Sequence, residues 1–296
     1  MKILKGIGIG LWCFSMAGSA AHAQNLEDFL SKYTGENGKG YMQPLADAFG
    51  ANLNSGFFHS ARIPRFGLHV NISFVGMTAL IGDKQKTFEA RTEDPFSPPV
   101  TTEAPTVFGS IEEKQVEGTG GTVFVFPGGL DVKWLPLVVP QVTIGSILGT
   151  DLTVRYFGMK INDDLGEVKL LGYGLRHSIS QYIPLLPVDL AVGIFRQTFE
   201  VGGVVEASSM NYGLEGSVAF GILTLYGGLS YESANLNISY EYGSGSTAEN
   251  ISFDLKAANS VRMIVGCSIR LAVLQLYADY NLADQSVFSA GLGFGF

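Results

Sequence analysis

Ionisable side chains recur among the alternating polar and apolar residues in the last third of the chain. In an extended strand, alternate side chains face opposite sides, so each of these residues would share a face with other polar groups. Acids and bases on neighbouring strands can pair across an enclosed interior, where they brace a barrel or line a polar passage. We expect bracing, because buried charges are tolerated only when they are matched. The predicted lumen-lining residues are Glu215, Glu232, Glu241, Asp254, Lys256, Arg262, Arg270 and Asp279.

Catalysis has little support among the other reactive side chains. The histidines after residue 23 are His59, His69 and His177, and none stands in a metal-binding motif such as His-Glu-x-x-His. His177 and Ser178 are adjacent, so on a strand they face opposite sides and cannot form a local base and nucleophile pair. We predict that the chain is not an enzyme and expect no cofactor and no metal. The alternative is a Ser/His site assembled from separate strands.

The last eleven residues, 286–296, alternate between a continuous apolar face and a nearly bare one. The apolar face resembles the C-terminal strand of bacterial outer-membrane barrels, which ends on Phe and is read by the barrel-assembly machinery. The resemblance implies an assembly signal formed by Phe288, Leu292, Phe294 and Phe296. An edge strand of a soluble sheet is the alternative interpretation.

The first 23 residues have the pattern of a secretory signal peptide. Lys2 and Lys5 precede an apolar run, and the small-residue sequence at 21–23 suits cleavage before Gln24. The run is too short to span a bilayer as a helix. Cleavage would leave Cys267 as the only cysteine, which excludes an intramolecular disulfide.

Composition favours a membrane barrel over a soluble domain. Apolar residues make up 46% of the chain and charged residues only 16%, against a usual charged share of about 25%. After removal of the signal peptide, 17 basic residues face 27 acidic ones, a net charge of −10. Nucleic acid is therefore excluded as a partner, since no basic stripe exists to neutralise phosphates.

Alternating strand patterns dominate from residue 66 onward. A first strand is predicted at 66–74, and eight more at 152–161, 167–181, 188–201, from Met210, 223–242, 251–271, 274–282 and 286–296. Short connections alternate with more polar ones, which places the short ones in the periplasm and the polar ones outside. The proline-rich stretch 92–105 would form the longest external loop.

Two regions of the barrel are harder to assign. A hairpin is predicted from 122–126 and 130–134, whereas 135–140 carries two prolines and fits no membrane strand. Two to four strands before residue 150 give a total of ten or twelve, with twelve preferred and fourteen allowed. Apolar residues switch from odd to even positions within 223–242, which predicts a β-bulge there.

Residues 24–65 differ from the rest, with short amphipathic helical patterns at 26–33 and 42–53. Pro44 suits a first helical turn, and 54–56 suits a helix stop. This segment is predicted to lie in the lumen as a plug or to hang in the periplasm.

Two stretches resemble a family of uncharacterised bacterial outer-membrane proteins. They are Tyr41-Met42-Gln43-Pro44 with Leu53-Asn54-Ser55-Gly56, and the run from Gly172 to Pro184. That family is distantly similar to the FadL-type transporters of hydrophobic compounds. The transporters have fourteen strands and an Asn-Pro-Ala hatch motif that is absent here, so the resemblance implies no binding residues.

The sequence thus predicts an all-β protein, an antiparallel transmembrane β-barrel of the bacterial outer membrane with a short N-terminal helical segment. The domains are a signal peptide at 1–23, the helical segment at 24–65 and the barrel at 66–296. We expect a passive channel or transporter for small molecules, with hydrophobic ones as candidates, and with outer-membrane lipids, the assembly machinery and an unknown ligand as partners. The alternatives are a non-conducting structural or surface-interaction barrel with a filled lumen, and a secreted soluble β-protein.

Overall fold

The computed structural model describes residues 35–93, 96–118, 121–162, 166–183, 185–242 and 249–295. The predicted signal peptide, the helical pattern at 26–33 and Phe296 lie outside these residues. The elements in chain order are α1 (Gly35–Leu53), β1 (His69–Leu80), β2 (Thr87–Arg91), β3 (Thr101–Pro105), β4 (Lys114–Glu117), β5 (Val123–Phe126), β6 (Trp134–Ile147), β7 (Thr150–Asn162), β8 (Gly166–Ser178), β9 (Asp189–Val201), β10 (Val205–Phe220), β11 (Leu223–Tyr242), β12 (Glu249–Lys256), β13 (Val261–Leu271), β14 (Leu274–Leu282) and β15 (Val287–Gly295).

Ten antiparallel strands close into a barrel. Around the barrel they follow the order β1, β6, β7, β8, β9, β10, β11, β13, β14 and β15, and β15 pairs with β1 to complete the ring. The extra strand β12 pairs with residues 235–242 of β11, whereas β13 pairs with residues 223–231 of β11. The preferred count of twelve was therefore wrong. Seven of the eight strands predicted after residue 150 match single barrel strands, whereas the predicted strand 251–271 was wrong, because residues 257–260 separate β12 from β13. The first predicted strand, 66–74, begins and ends earlier than β1.

The two ends of the barrel differ. At one end, here the short-turn end, tight connections join β6 to β7, β10 to β11, and β13 to β14. The other end, here the long-loop end, carries the connection 81–133, which contains the hairpins β2–β3 and β4–β5. The predicted hairpin of 122–126 with 130–134 was wrong, because β5 pairs with β4 instead.

The strand β6 corrects the prediction that 135–140 fits no barrel strand. Ile81 donates its N–H to the C=O of Lys133, the residue before β6, and alternation from this bond turns the N and C=O of Pro136 and Pro140 away from β1, toward β7. Among the described residues, however, β6 pairs with β7 only from Gln141 to the turn. The two prolines therefore lie where no ladder bond is needed.

The strand β11 contains no bulge, since its register with β10 is continuous. Even-numbered side chains face inward along its described length, from Tyr226 through Glu232 to Ile238. What changes is the surroundings: near the short-turn end the outer face is apolar and the inner face polar, and near the long-loop end this polarity is reversed. The predicted bulge was wrong because a change of environment shifts hydrophobic residues between faces without shifting the backbone.

The N-terminal segment, residues 35–68, crosses the barrel lengthwise: residues 35–63 lie inside it, and residues 64–68 are exposed at the short-turn end. Near the long-loop end, Asn37 of α1 exchanges hydrogen bonds with the backbone of Arg91 on β2, with lengths of 2.7 and 3.0 Å. At the short-turn end, the C=O of Arg65 accepts from the N–H of Gly149 at 3.2 Å. Helix α1 starts earlier than predicted, so Pro44 lies within the helix rather than in its first turn.

The apolar core lies in the long-loop half of the barrel. Buried residues of α1 pack there against the inner wall and beneath the two hairpins, with Tyr41 donating to the C=O of Gly128 at 2.9 Å. The main members are Tyr41, Met42, Leu45, Leu53, Phe108, Phe126, Leu137, Phe199, Leu236, Ile238 and Phe253. Across the described ranges, no helix is both long and apolar enough to cross a membrane.

Candidate functional site

The short-turn half of the lumen contains most of the predicted interior residues. Glu215, Glu232, Arg262 and Asp279 all point inward, and each is at most 3% exposed. Arg270 belongs to the same inward row as Arg262, but it is exposed at the short-turn end and donates to Gln275 at 3.4 Å.

Two of the predicted interior residues lie elsewhere, and the side chain of Glu241 lies outside those the structure describes. Asp254 and Lys256 are exposed on the outer face of β12, opposite the buried Phe253 and Leu255. Asp254 accepts from Asn237 of β11 at 2.6 Å. The prediction failed there because β12 belongs to the half of the barrel in which the polar face is the outer one.

Among the described residues, two buried ion-pair groups lie in the lumen. Arg176 of β8 bridges two carboxylates, with Nη2 2.6 Å from Asp151 and Nη1 2.9 Å from Glu215. Arg262 of β13 pairs with Glu232 of β11 at 2.7 Å. Arg176 connects β8 to the adjacent β7 and, across β9, to β10, and Arg262 connects β13 to the adjacent β11, so these pairs join the wall strands to one another.

A third buried arginine, Arg155 of β7, binds the N-terminal segment directly. Its Nη2 donates to the C=O groups of Ser55 and Gly56 at 2.9 and 2.6 Å, and its Nε donates to Gln141 at 2.8 Å. The guanidinium also lies over the ring of Phe57, 4.0 Å from its centre.

The wall also binds carbonyls in the last turn of α1 and in the residues that follow it. The C=O of Ala51 accepts from Arg262 at 2.9 Å, and that of Leu53 accepts from Gln197. Further along, the C=O of Ser60 accepts from Arg176 at 2.8 Å. The last carbonyls of a helix have no partners within the helix and carry partial negative charge, so cationic donors suit them.

A small cavity lies beside these contacts. It has a volume of about 10 Å³, and its lining combines polar residues such as Asn54, Asn211 and Glu215 with apolar ones such as Phe57 and Phe58. The Oδ1 atom of Asn54 is buried and has no protein partner. A cavity of this size has room for about one water molecule.

Sequence reasoning missed Asp151, Arg155 and Arg176. The signal was available, since Asp151, Thr153 and Arg155 alternate with the outward Leu152 and Val154. On β8, the inward row that contains Arg176 also contains Gly172 and Gly174, which pair with Gln197 and Phe195 of β9. Because glycine has no side chain, this row did not stand out in the sequence as a polar face.

The C-terminal strand presents its apolar row outward. Phe288, Leu292 and Phe294 are exposed on the outer surface of β15, and Phe296 lies outside the described residues. Their role as an assembly signal stays a prediction. Inward Gly291 lies against the ring of Tyr277 on β14, which explains why a side chain is missing at that position.

A family model of unknown function, DUF6588, matches residues 1–296, the whole chain. The chain belongs to the DUF6588 family. No curated protein is significantly similar to this DUF6588 member. The family description assigns no activity.

Several solved structures are similar to this DUF6588 chain at low identity. OmpT, an outer membrane protein of Vibrio cholerae in its trimer form, is 8% identical, with 78% of this chain and 100% of that chain covered and a TM-score of 0.27. The outer membrane protease OmpT from Escherichia coli is 8% identical, with 79% and 98% covered and a TM-score of 0.35. The translocator domain of the autotransporter NalP from Neisseria meningitidis is 11% identical, with 78% and 88% covered and a TM-score of 0.28.

Such distant likenesses say nothing about activity, so the absence of enzymatic activity in this DUF6588 chain stays a prediction. Similarity to the FadL-type transporters is not shown by these comparisons. Within the described part of the chain, no group of three or more His, Cys, Asp or Glu side chains is placed to hold a metal ion.

Proposed function

We propose that this protein is a non-conducting barrel of the bacterial outer membrane, sealed by its own N-terminal segment. The observation that carries the proposal is the binding of backbone carbonyls of residues 51–60 by Arg155, Arg176 and Arg262. These arginines project from β7, β8 and β13, and β13 lies on the far side of the ring from β7 and β8. The segment is therefore held between opposite walls, as a seal requires.

The membrane placement is supported by the outer surface. Exposed apolar side chains cover the short-turn half of the strands, as in Leu171 and Tyr173 of β8, Tyr212 and Leu214 of β10, and Leu292 of β15. An outward apolar band with aromatic residues is the surface that a bilayer requires. Barrels of this kind place short turns in the periplasm, which directs the long-loop end, with its two hairpins over α1, toward the exterior.

A planar-bilayer recording tests the seal. The refolded protein without residues 1–23 is expected to give no current steps. Arg155→Ala removes the donors to Ser55 and Gly56, and each carbonyl left buried without a partner costs about 1–3 kcal/mol. This variant is expected to give intermittent steps, while the control Arg196→Ala, an exposed outer-face arginine of β9, stays silent.

Heat-modifiable migration in gels verifies that each variant has refolded. Sustained current from the unaltered protein would contradict the seal and favour an open channel. If the folded Arg155→Ala variant gives no more current than the control, Arg155 does not contribute to the seal.

A second candidate function, transport of small hydrophobic molecules through the barrel wall, is favoured by the seam between β6 and β7. The residues described on both strands form no ladder between 134–140 and 156–162. The two prolines of β6 remove N–H groups from this edge, so it resists closure by hydrogen bonding. A lateral route of this kind needs no open lumen.

Crosslinking the seam tests that route. By extension of the register, Val138 would lie opposite Gly158, and a bismaleimide can join cysteines at these positions in a Cys267→Ser background. If the seam conducts hydrophobic molecules, crosslinked cells should take up the dye N-phenylnaphthylamine more slowly than cells with either single cysteine. Equal uptake would exclude the seam as a route for this dye.

A further inference from the structure

The connections at the short-turn end carry exposed apolar side chains at their tips. Leu185, between β8 and β9, is fully exposed at 100%, and the other connections follow the same pattern. A turn that projects into water normally carries Gly, Asn, Asp or Ser. The exposed apolar residues at this end are Phe66, Leu68, Ile147, Leu148, Tyr182, Ile183, Leu185, Phe220, Ile222, Leu271 and Val273.

The backbone at these tips makes the choice of residue more unusual. Leu148, Leu185 and Ala272 have φ values of 52°, 63° and 54°, in the left-handed region. That region favours Gly and Asn, because other side chains are strained there. Leucine at two such tips therefore has an energetic cost that exposure to water would increase.

The height of the apolar band gives a use for these tips. On β10 the outward apolar row runs from Met210 to Phe220, next to the turn. At about 3.3 Å per residue and a tilt of about 40°, this row covers roughly 25 Å along the membrane normal. A barrel needs an apolar band of about this height, and the row reaches the turn with no polar residue between them, so the tips lie at the edge of the band.

The charges at this end suit an anionic surface. Arg62, Arg65 and Arg270 are exposed near the turns. Asp189, which interacts electrostatically with Arg62, is half-buried. Arginine side chains reach from an apolar surface to lipid phosphates.

We propose that the turns at the short-turn end are embedded in the phospholipid leaflet on that side, at the boundary between acyl chains and headgroups. Leu148, Leu185, Ile222 and Val273 contact acyl chains there, and the three arginines contact phosphates. This proposal rests on the membrane placement proposed above. The partner is the phospholipid itself, because the tips continue the lipid-facing band without a polar margin.

Fluorescence quenching measures the depth of the tips. Without residues 1–23, Trp134 is the chain's only tryptophan, so Trp134→Phe gives a background without tryptophan. Single tryptophans are introduced as Leu185→Trp at a turn, Leu214→Trp in the apolar band and Ser252→Trp on the polar outer face of β12. Each variant is refolded into vesicles of phosphatidylcholine brominated near the carbonyl end of its acyl chains.

We expect brominated lipid to quench the tryptophans at 185 and 214 and to leave the one at 252 unchanged. Aqueous acrylamide should quench 252 and spare 185. Quenching of 185 by acrylamide, with 214 still quenched by lipid, would overturn the embedding of the turns and leave the membrane placement intact. Failure of lipid to quench 214 would overturn both.

Discussion

Arg155 lies 1% exposed inside the barrel, and two backbone carbonyls of another segment are among its acceptors. A buried guanidinium has a large desolvation cost, which hydrogen bonds offset only when the acceptors are fixed in place. Here the chain after α1 supplies fixed acceptors, because Gly56, at a φ of +70°, turns it past the end of the helix. Individual residues therefore join the wall to the N-terminal segment.

Glu232 gives a stability prediction at the residue scale. Glu232→Gln leaves Arg262 buried without its countercharge, and breaking a buried pair in this way costs about 3–5 kcal/mol. Urea unfolding in lipid vesicles, followed by Trp134 fluorescence, should show this loss. The matched change Glu206→Gln, on the exposed face of β10, should leave the midpoint unchanged. Equal midpoints for the two variants would contradict a structural role for the pair.

The alternation of strand residues was sufficient to find Glu215, Glu232, Arg262 and Asp279. It could not assign Asp254, since the same alternation has opposite meanings on the two halves of the barrel. It also could not show that backbone carbonyls are acceptors, because carbonyls carry no sequence signal.

Small residues allow helix α1 to pack closely against the inner wall of the barrel. A Cβ atom placed on Gly50 would lie 2.7 Å from the Cβ of Ala234 and 2.9 Å from that of Ala257. The helix therefore approaches β11 and the β12–β13 connection as closely as backbone atoms allow. Both contacts are with small side chains, which cannot rotate away.

Gly50→Ala is expected to weaken the seating of the helix. Overpacking of this kind costs about 1–3 kcal/mol, so the variant should unfold at lower urea concentration. Gly82→Ala is the matched control, because its new methyl group would meet only the end of the Gln85 side chain at 3.7 Å. If the two variants unfold alike, α1 does not pack against Ala234 and Ala257 as described.

Strands were predictable where a regular alternation of inward and outward residues runs along the whole strand. Strands β8 to β11, β14 and β15 have partners on both sides, and their periodicity alone located them. In β6 the ladder toward β7 is missing beside the two prolines, a condition that local sequence cannot show. The start of α1 was missed because tertiary packing keeps Pro44 within the helix.

In the whole molecule, the two halves of the barrel have opposite polarity on their inner and outer faces. In the short-turn half, apolar residues face outward and ion pairs face inward; in the long-loop half, Glu206 and Asn237 face outward and Val205 and Ile238 face the core. The first arrangement suits lipid outside, and the second suits water outside. Composition indicated a barrel. Only the three-dimensional register shows that its long-loop half has an apolar inside and a polar outside, as a soluble domain has.

Disulfide crosslinking tests whether the N-terminal segment occupies the lumen. The hydroxyls of Ser60 and Ser217 lie 3.4 Å apart, so cysteines at these positions are within disulfide reach. In a Cys267→Ser background, oxidised outer membranes should contain a 60–217 crosslink, visible as a non-reducing shift. The control pair, Ser60→Cys with Leu214→Cys on the outer face, should give none. Absence of the 60–217 crosslink in folded barrels would contradict the placement of the N-terminal segment in the lumen.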